Sequence, residues 1–175
     1  MKIRKLPPVE YLNECFLYES ATGRLFWKAR PREHFVSTRA WNSWNKRLAG
    51  KEAFHAGRYR AGNLDGKYIV AHRVIYKLVT GEEPPPLLDH RDRNKHNNRW
   101  INIRPATKPQ NSANRDLNTP SGFPGVHKHR NKNRWVAQAG HVRGRQRYVG
   151  IFDSPEKAFE ARQRAMKELY GEYAP

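Results

Sequence analysis

The sequence predicts an α+β protein made of two modules in series, and three observations predict it. An apolar strand, Leu87-Leu88-Asp89-His90, is followed by a long polar loop, a second strand near Ile103-Arg104 and a helix near Lys108. Three runs near the C-terminus, 125–130, 134–141 and 147–152, alternate side-chain type as antiparallel strands do. Between these regions lies Asp116-Leu117-Asn118-Thr119-Pro120-Ser121-Gly122, a polar stretch of turn formers that reads as a linker. The expected division is a first domain over 1–115, a linker over 116–122 and a second domain over 123–175.

Taken in order, Val9, Leu12 and Phe16 share one face of a short helix that starts at Pro8. Ser20–Gly23 is a turn and Arg24–Lys28 a strand. Residues 30–50 are the hardest to read. Trp41 and Trp44 sit among Arg39, Lys46 and Arg47, a mixture that can stack on bases; covering the core is the preferred role. Residues 57–71 predict a hairpin, because Asp65-Gly66 suits a two-residue type I′ turn. His72–Thr80 follows as a helix burying Val74, Ile75, Leu78 and Val79, with Gly81 as its C-cap. Pro84-Pro85-Pro86 is a stiff connector. The helix near Lys108 carries Asn111, Asn114 and Arg115. At the C-terminal end, Asn131–Asn133 and Val142–Arg145 are the turns between the three strands. Ser154-Pro155 is an N-cap followed by proline at the first helical position. Ala158, Phe159, Ala161, Arg162, Ala165, Met166 and Leu169 then pattern a helix face that packs on the sheet.

Charge narrows the function. Lys and Arg number 34 against 16 Asp and Glu, a formal net charge of +18 on 175 residues. Such an excess is self-repulsive and costs stability unless it is used, so a polyanionic partner is preferred to an inert solubilising surface. Membrane surface is the other polyanion. No apolar run approaches the ~20 residues of a spanning helix, and the cations are scattered through strand-like segments, so no membrane partner is expected and double-stranded DNA is preferred. Charge alone also allows RNA. Cys15 is the single cysteine and cannot close an internal disulfide, and no Cys/His set has zinc spacing. The N-terminal MKIRKLPPVEYLNE has no apolar secretory core, and an intracellular, reducing compartment is expected.

The candidate chemistry lies between Leu88 and Asn111. A carboxylate, an imidazole and amide oxygens are the groups needed to hold one hard cation and activate one water. Mg²⁺ (or Mn²⁺) prefers oxygen ligands and keeps several waters. Asp89 and Asn111 are the candidate ligands, and His90 is the candidate base.

This stretch resembles the HNH (ββα-metal) nuclease motif in its H-N-N form, as in phage and intron-encoded endonucleases. The resemblance rests on Asp89-His90, Asn102 and Asn111, with Asn98-Arg99 and Ile101-Asn102-Ile103-Arg104 similar to the family's "DNR…ENLR". Asn97, Ile101 and Ile103 depart from it. It implies that Asp89 and Asn111 bind metal, that His90 is the general base, and that Asn102 pins the intervening loop. His72-Arg73 is similar to an "AHR" that precedes the motif, which makes His72 and Arg73 possible phosphate contacts. Asn114, three residues from Asn111 and on the same helix face, is a further possible DNA contact or a cap. YESATGRLFWKAR resembles the opening of free-standing phage HNH proteins, which points to a bacterial host. Residues 123–175 resemble the AP2 DNA-binding domain through Gly125-Val126, Trp135-Val136-Ala137, Val149–Asp153 and the Ala-rich helix. That resemblance implies DNA contact through Trp135 and the strand residues His127, Lys128, His129, Arg130, Arg134, Arg143, Arg145 and Arg147. His127 and His129 stand where the family usually has Arg. The whole implies a metal-dependent duplex-DNA endonuclease in the phage or homing-endonuclease style. The rival is a non-catalytic AP2-type regulator on a degenerate nuclease scaffold.

Overall fold

The computed structural model describes residues 5–54, 57–114, 119–130, 132–142 and 145–174. The chain divides into two compact units, Met1–Pro105 and Ala106–Pro175.

In the first unit, α1 (Val9–Cys15) begins after Pro8 and buries Leu12 and Cys15 completely. The chain turns directly into β1 (Phe16–Glu19), a strand absent from the sequence reading, which pairs antiparallel with β2 (Arg24–Trp27). The segment that was hardest to read holds α2 (Thr38–Leu48), capped by the Ser37 hydroxyl, which accepts from the Ala40 N–H at 3.2 Å. Both tryptophans of α2 have structural partners. The Trp41 indole N–H donates to the Arg30 carbonyl at 2.8 Å, and Trp44 packs edge-on against Trp27 at 5.1 Å. β3 (Glu52–Ala53) adds to the far side of β2, giving the order β1-β2-β3.

β4 (Ala61–Leu64) and β5 (Lys67–Val70) form the expected hairpin. Asp65 and Gly66 both have positive φ, +48° and +73°, as a type I′ turn requires. α3 (Ala71–Thr80) follows and ends at Gly81 in the left-handed region. Val74 and Ile75 are fully buried against Leu12, Phe16, Leu25 and Leu64. Val79 differs from expectation and is 43% exposed. Lys77 takes an inner place instead, because its ammonium is satisfied by the Glu83 carboxylate and the Leu6 carbonyl. β6 (Leu88–His90) and β7 (Ile103–Pro105) pair antiparallel in the register Leu88↔Pro105, Asp89↔Arg104, His90↔Ile103.

The second unit opens with α4 (Lys108–Ala113), whose N-terminus carries a capping box between Thr107 and Gln110. Three antiparallel strands follow, β8 (Val126–Lys128), β9 (Trp135–Val142) and β10 (Arg145–Phe152), in the order β10-β9-β8. α5 (Pro155–Tyr170) covers one face, with Ser154 as N-cap. The division between units falls at Pro105 rather than after 115, because α4 packs on β9 and α5. Of the expected features, Arg115, Arg143 and residues 116–118 of the linker lie outside the described residues. Among the described residues no helix is long and apolar enough to cross a membrane.

Candidate active site

The site is built on the β6–β7 hairpin of the first unit. Asp89 and Arg104 are cross-strand partners, so their side chains share one face of the pair. The Arg104 guanidinium forks onto Asp89 Oδ2 at 2.9 Å from Nε and 2.8 Å from Nη2. Both side chains are buried. Burying a carboxylate is costly unless a charge partner and hydrogen bonds satisfy it, and Arg104 provides both.

His90 ends β6, 5% exposed. Its Nε2 lies 2.9 Å from Asn98 Oδ1. An amide oxygen only accepts, so Nε2 carries the proton and Nδ1 the lone pair. Burial lowers the imidazole pKa from its ordinary value, outweighing the Asn98 hydrogen bond and the Asp92 and Asp89 charges, which act the other way. At neutral pH His90 is therefore a neutral base in one tautomer.

The loop after His90 is held by its own side chains. Asn102 is buried and donates to Asp92 Oδ1 at 2.8 Å and to the Asn97 carbonyl at 2.7 Å, while its oxygen accepts from the Asp92 N–H at 3.0 Å. Burial works against the charged form of Asp92, but hydrogen bonds from Asn97, Asn102 and the Asn94 N–H win and hold its carboxyl below the usual range. Asn98 is anchored from outside the loop. The Tyr18 hydroxyl donates to its carbonyl at 3.1 Å. Gly23, at φ +74°, lies so close that an added Cβ would meet Arg99 N at 2.3 Å and Asn98 C at 2.5 Å. The β1–β2 turn thus presses on the backbone that presents Asn98 to His90. The sequence reading used Asn98 only as part of a motif, and its pairing with His90 is a three-dimensional fact that spacing does not carry.

Two aromatic rings flank His90. His72 lies edge-on at 5.2 Å between ring centroids, and Tyr59 lies 5.4 Å from His72 and 6.3 Å from His90. The Arg73 guanidinium donates to the Pro85 and Pro84 carbonyls at 2.8 and 3.1 Å, so it anchors the proline connector.

Asn111 stands on α4 in the second unit, and Asn114 is the buried C-cap residue of that helix. Asp89 and Asn111 offer only oxygen donors, the class that a hard divalent cation selects and that leaves it most of its water. Arg104 orients the Asp89 carboxylate.

In the C-terminal sheet the register sorts the expected DNA contacts. Val126 and Ala137 pair across β8 and β9 and pack with Ala158 of α5. Trp135, two residues before Ala137, points the same way and packs against this cluster. It packs on the α5 side of the sheet. Arg134 pairs with Asp153 at 3.1 Å and Arg147 with Glu168 at 3.3 Å. His127, Lys128, Arg130 and Arg145 are exposed, and His129 is half-buried. The face away from α5 carries His127, Val136, Gln138, Ile151 and Tyr148, the last 58% exposed.

Residues 56–113 match the family model described as HNH endonuclease, a stretch running from just before β4 to the end of α4 and containing all four motif positions. This stretch of the chain is thus similar to an HNH endonuclease domain. No curated protein and no solved structure matches the chain.

Proposed function

We propose that this protein is a metal-dependent endonuclease that hydrolyses phosphodiester bonds in duplex DNA, with His90 as general base. The observation that carries the proposal is the buried His90, hydrogen-bonded through Nε2 to Asn98 and beside Asp89, within the stretch matching an HNH endonuclease. In this tautomer it is the Nδ1 lone pair that takes the proton from water. As the water oxygen bonds to phosphorus, the bond to the 3′ oxygen breaks. The ends formed are 5′-phosphate and 3′-hydroxyl. Asp89 and Asn111 would hold one Mg²⁺ or Mn²⁺, which when bound supplies stabilisation of the charge that develops on the phosphate and the departing oxygen. Asn102 acts at a distance, by fixing the loop on which Asn98 stands.

The second unit supplies affinity in this reading. Its exposed cations Lys128, Arg130 and Arg145 meet phosphates, and the outer face with His127, Gln138 and Tyr148 lies along the duplex. Arg143 belongs with them by sequence position. An AP2-like, phosphate-dominated module and a phage or mobile-element setting are the readings that fit these features best.

Supercoiled plasmid tests the proposal. Wild type with Mg²⁺ should nick or linearise it, whereas EDTA and His90→Ala should abolish cutting while DNA binding persists. Tight binding without cutting in either Mg²⁺ or Mn²⁺ would overturn the nuclease reading. The ratio of nicked to linear product reports one strand or two.

A further inference from the structure

Beside His90 the structure holds two half-buried hydrogen-bonding side chains, Tyr59 and His72. His72 sits at the start of α3 with its ring at 82° to that of His90. Among the described residues neither of its nitrogens has a hydrogen-bond partner, and the Tyr59 hydroxyl has none. Half-buried as they are, these polar atoms remain open to a bound ligand. Their surroundings hold both in place. Arg73, next to His72, is tied to the Pro84 and Pro85 carbonyls. The turn carrying Tyr59 is clamped to the hairpin loop. His96 Nε2 bonds the Gly57 carbonyl at 2.9 Å and Arg60 Nε donates to the His96 carbonyl at 3.2 Å. The Lys95 ammonium lies 5.5 Å from the centre of the Tyr59 ring.

We infer that Tyr59 and His72 form an uncharged hydrogen-bonding wall of the site that binds a non-bridging oxygen of the substrate phosphodiester beside His90. The inference rests on the nuclease reading and adds to it Tyr59 and the neutral-donor role of His72. Charge explains why neutral donors belong here. Burial, with His90 and Arg73 adding to it, pushes the His72 pKa down to about 3, so its ring keeps a single N–H to donate across the working range. A cation in its place would disfavour proton uptake by His90, which must become cationic as it accepts the proton from water. Donors already fixed toward a developing negative charge stabilise it without reorganisation.

The test uses full-length protein and a DNA duplex, with single-turnover cleavage in Mg²⁺ and equilibrium binding in EDTA. Tyr59→Phe and His72→Phe keep both rings and their mutual packing and remove only the hydrogen-bonding groups. Each should slow cleavage by about 100-fold, with affinity unchanged within about twofold. His72→Gln, which restores an N–H donor, should recover at least about 10-fold over His72→Phe. Melting temperature checks folding, and if His72→Phe melts early, Tyr59→Phe and His72→Gln carry the test. If His90→Ala abolishes cleavage while the folded Phe variants cut at the wild-type rate, the inference fails alone. If His90→Ala cuts like wild type, the nuclease reading itself fails.

Discussion

Asn98 holds His90 at 2.9 Å through an amide oxygen, and by doing so selects which imidazole nitrogen carries the proton. Removing that acceptor frees the tautomer. Asn98→Ala should lower the single-turnover cleavage rate by about 100-fold with DNA affinity retained, a magnitude typical of a group that serves general-base catalysis. Asn98→Asp puts a carboxylate there instead and favours the imidazolium. The acid limb of its pH–rate profile should move upward, where a purely structural role for Asn98 would leave that limb in place.

For the wild type, the direction of the His90 shift sets the profile. Burial lowers its pKa, so the neutral base persists to more acid pH than the ordinary imidazole value of 6.5. Cleavage should hold through that value and fall only below it. A limb at or above pH 6.5 in single-turnover kinetics would show that some other group is titrating.

His72 predicts a pH dependence of stability rather than of rate. Its folded-state pKa is about 3 against 6.5 when free, so between these values the unfolded chain binds more protons than the folded one. Stability is full above pH 6.5 and is lost as pH falls through the window, by on the order of 4 kcal/mol at its lower end. Urea unfolding of wild type and His72→Phe at several pH values checks this. The variant should lose less stability on acidification.

Much of the architecture could be read from local chemistry. The Asp65-Gly66 turn, the Gly81 C-cap and the Ser154-Pro155 helix start are set by residues adjacent to the features they create, and the structure has all three. What escaped the sequence depends on distant partners. α2 carries three charged residues and no fully buried side chain, so its period was faint. β1 follows α1 without a turn to announce it. The link from Gly23 through Asn98 to His90 joins three segments that no spacing rule connects. In the helix before the candidate site, Lys77 displaces Val79 from the inner face because a salt bridge satisfies its charge.

Arg104 gives the sharpest stability prediction. Arg104→Met leaves the Asp89 carboxylate buried without its guanidinium and should cost about 3–5 kcal/mol. Pairing it with Asp89→Leu should recover much of that loss, because an apolar pair needs no charge compensation. Chemical unfolding of the two single variants and the double variant gives the coupling directly, and additive losses would contradict a mutual charge partnership.

Trp135 separates the two roles a strand tryptophan can play. Its ring packs with Val126, Ala137 and Ala158 under α5, so Trp135→Ala should destabilise the second unit by about 3–5 kcal/mol. Tyr148 lies on the opposite face and is largely exposed. Tyr148→Ala should leave melting nearly unchanged and weaken DNA binding through loss of an uncharged contact. Titrations at several salt concentrations distinguish that loss from a phosphate loss. Tyr148→Ala should keep the wild-type salt slope, whereas Arg145→Ala should reduce it by about one phosphate contact. If Trp135→Phe instead weakened binding while its melting held, the tryptophan would be a DNA contact after all.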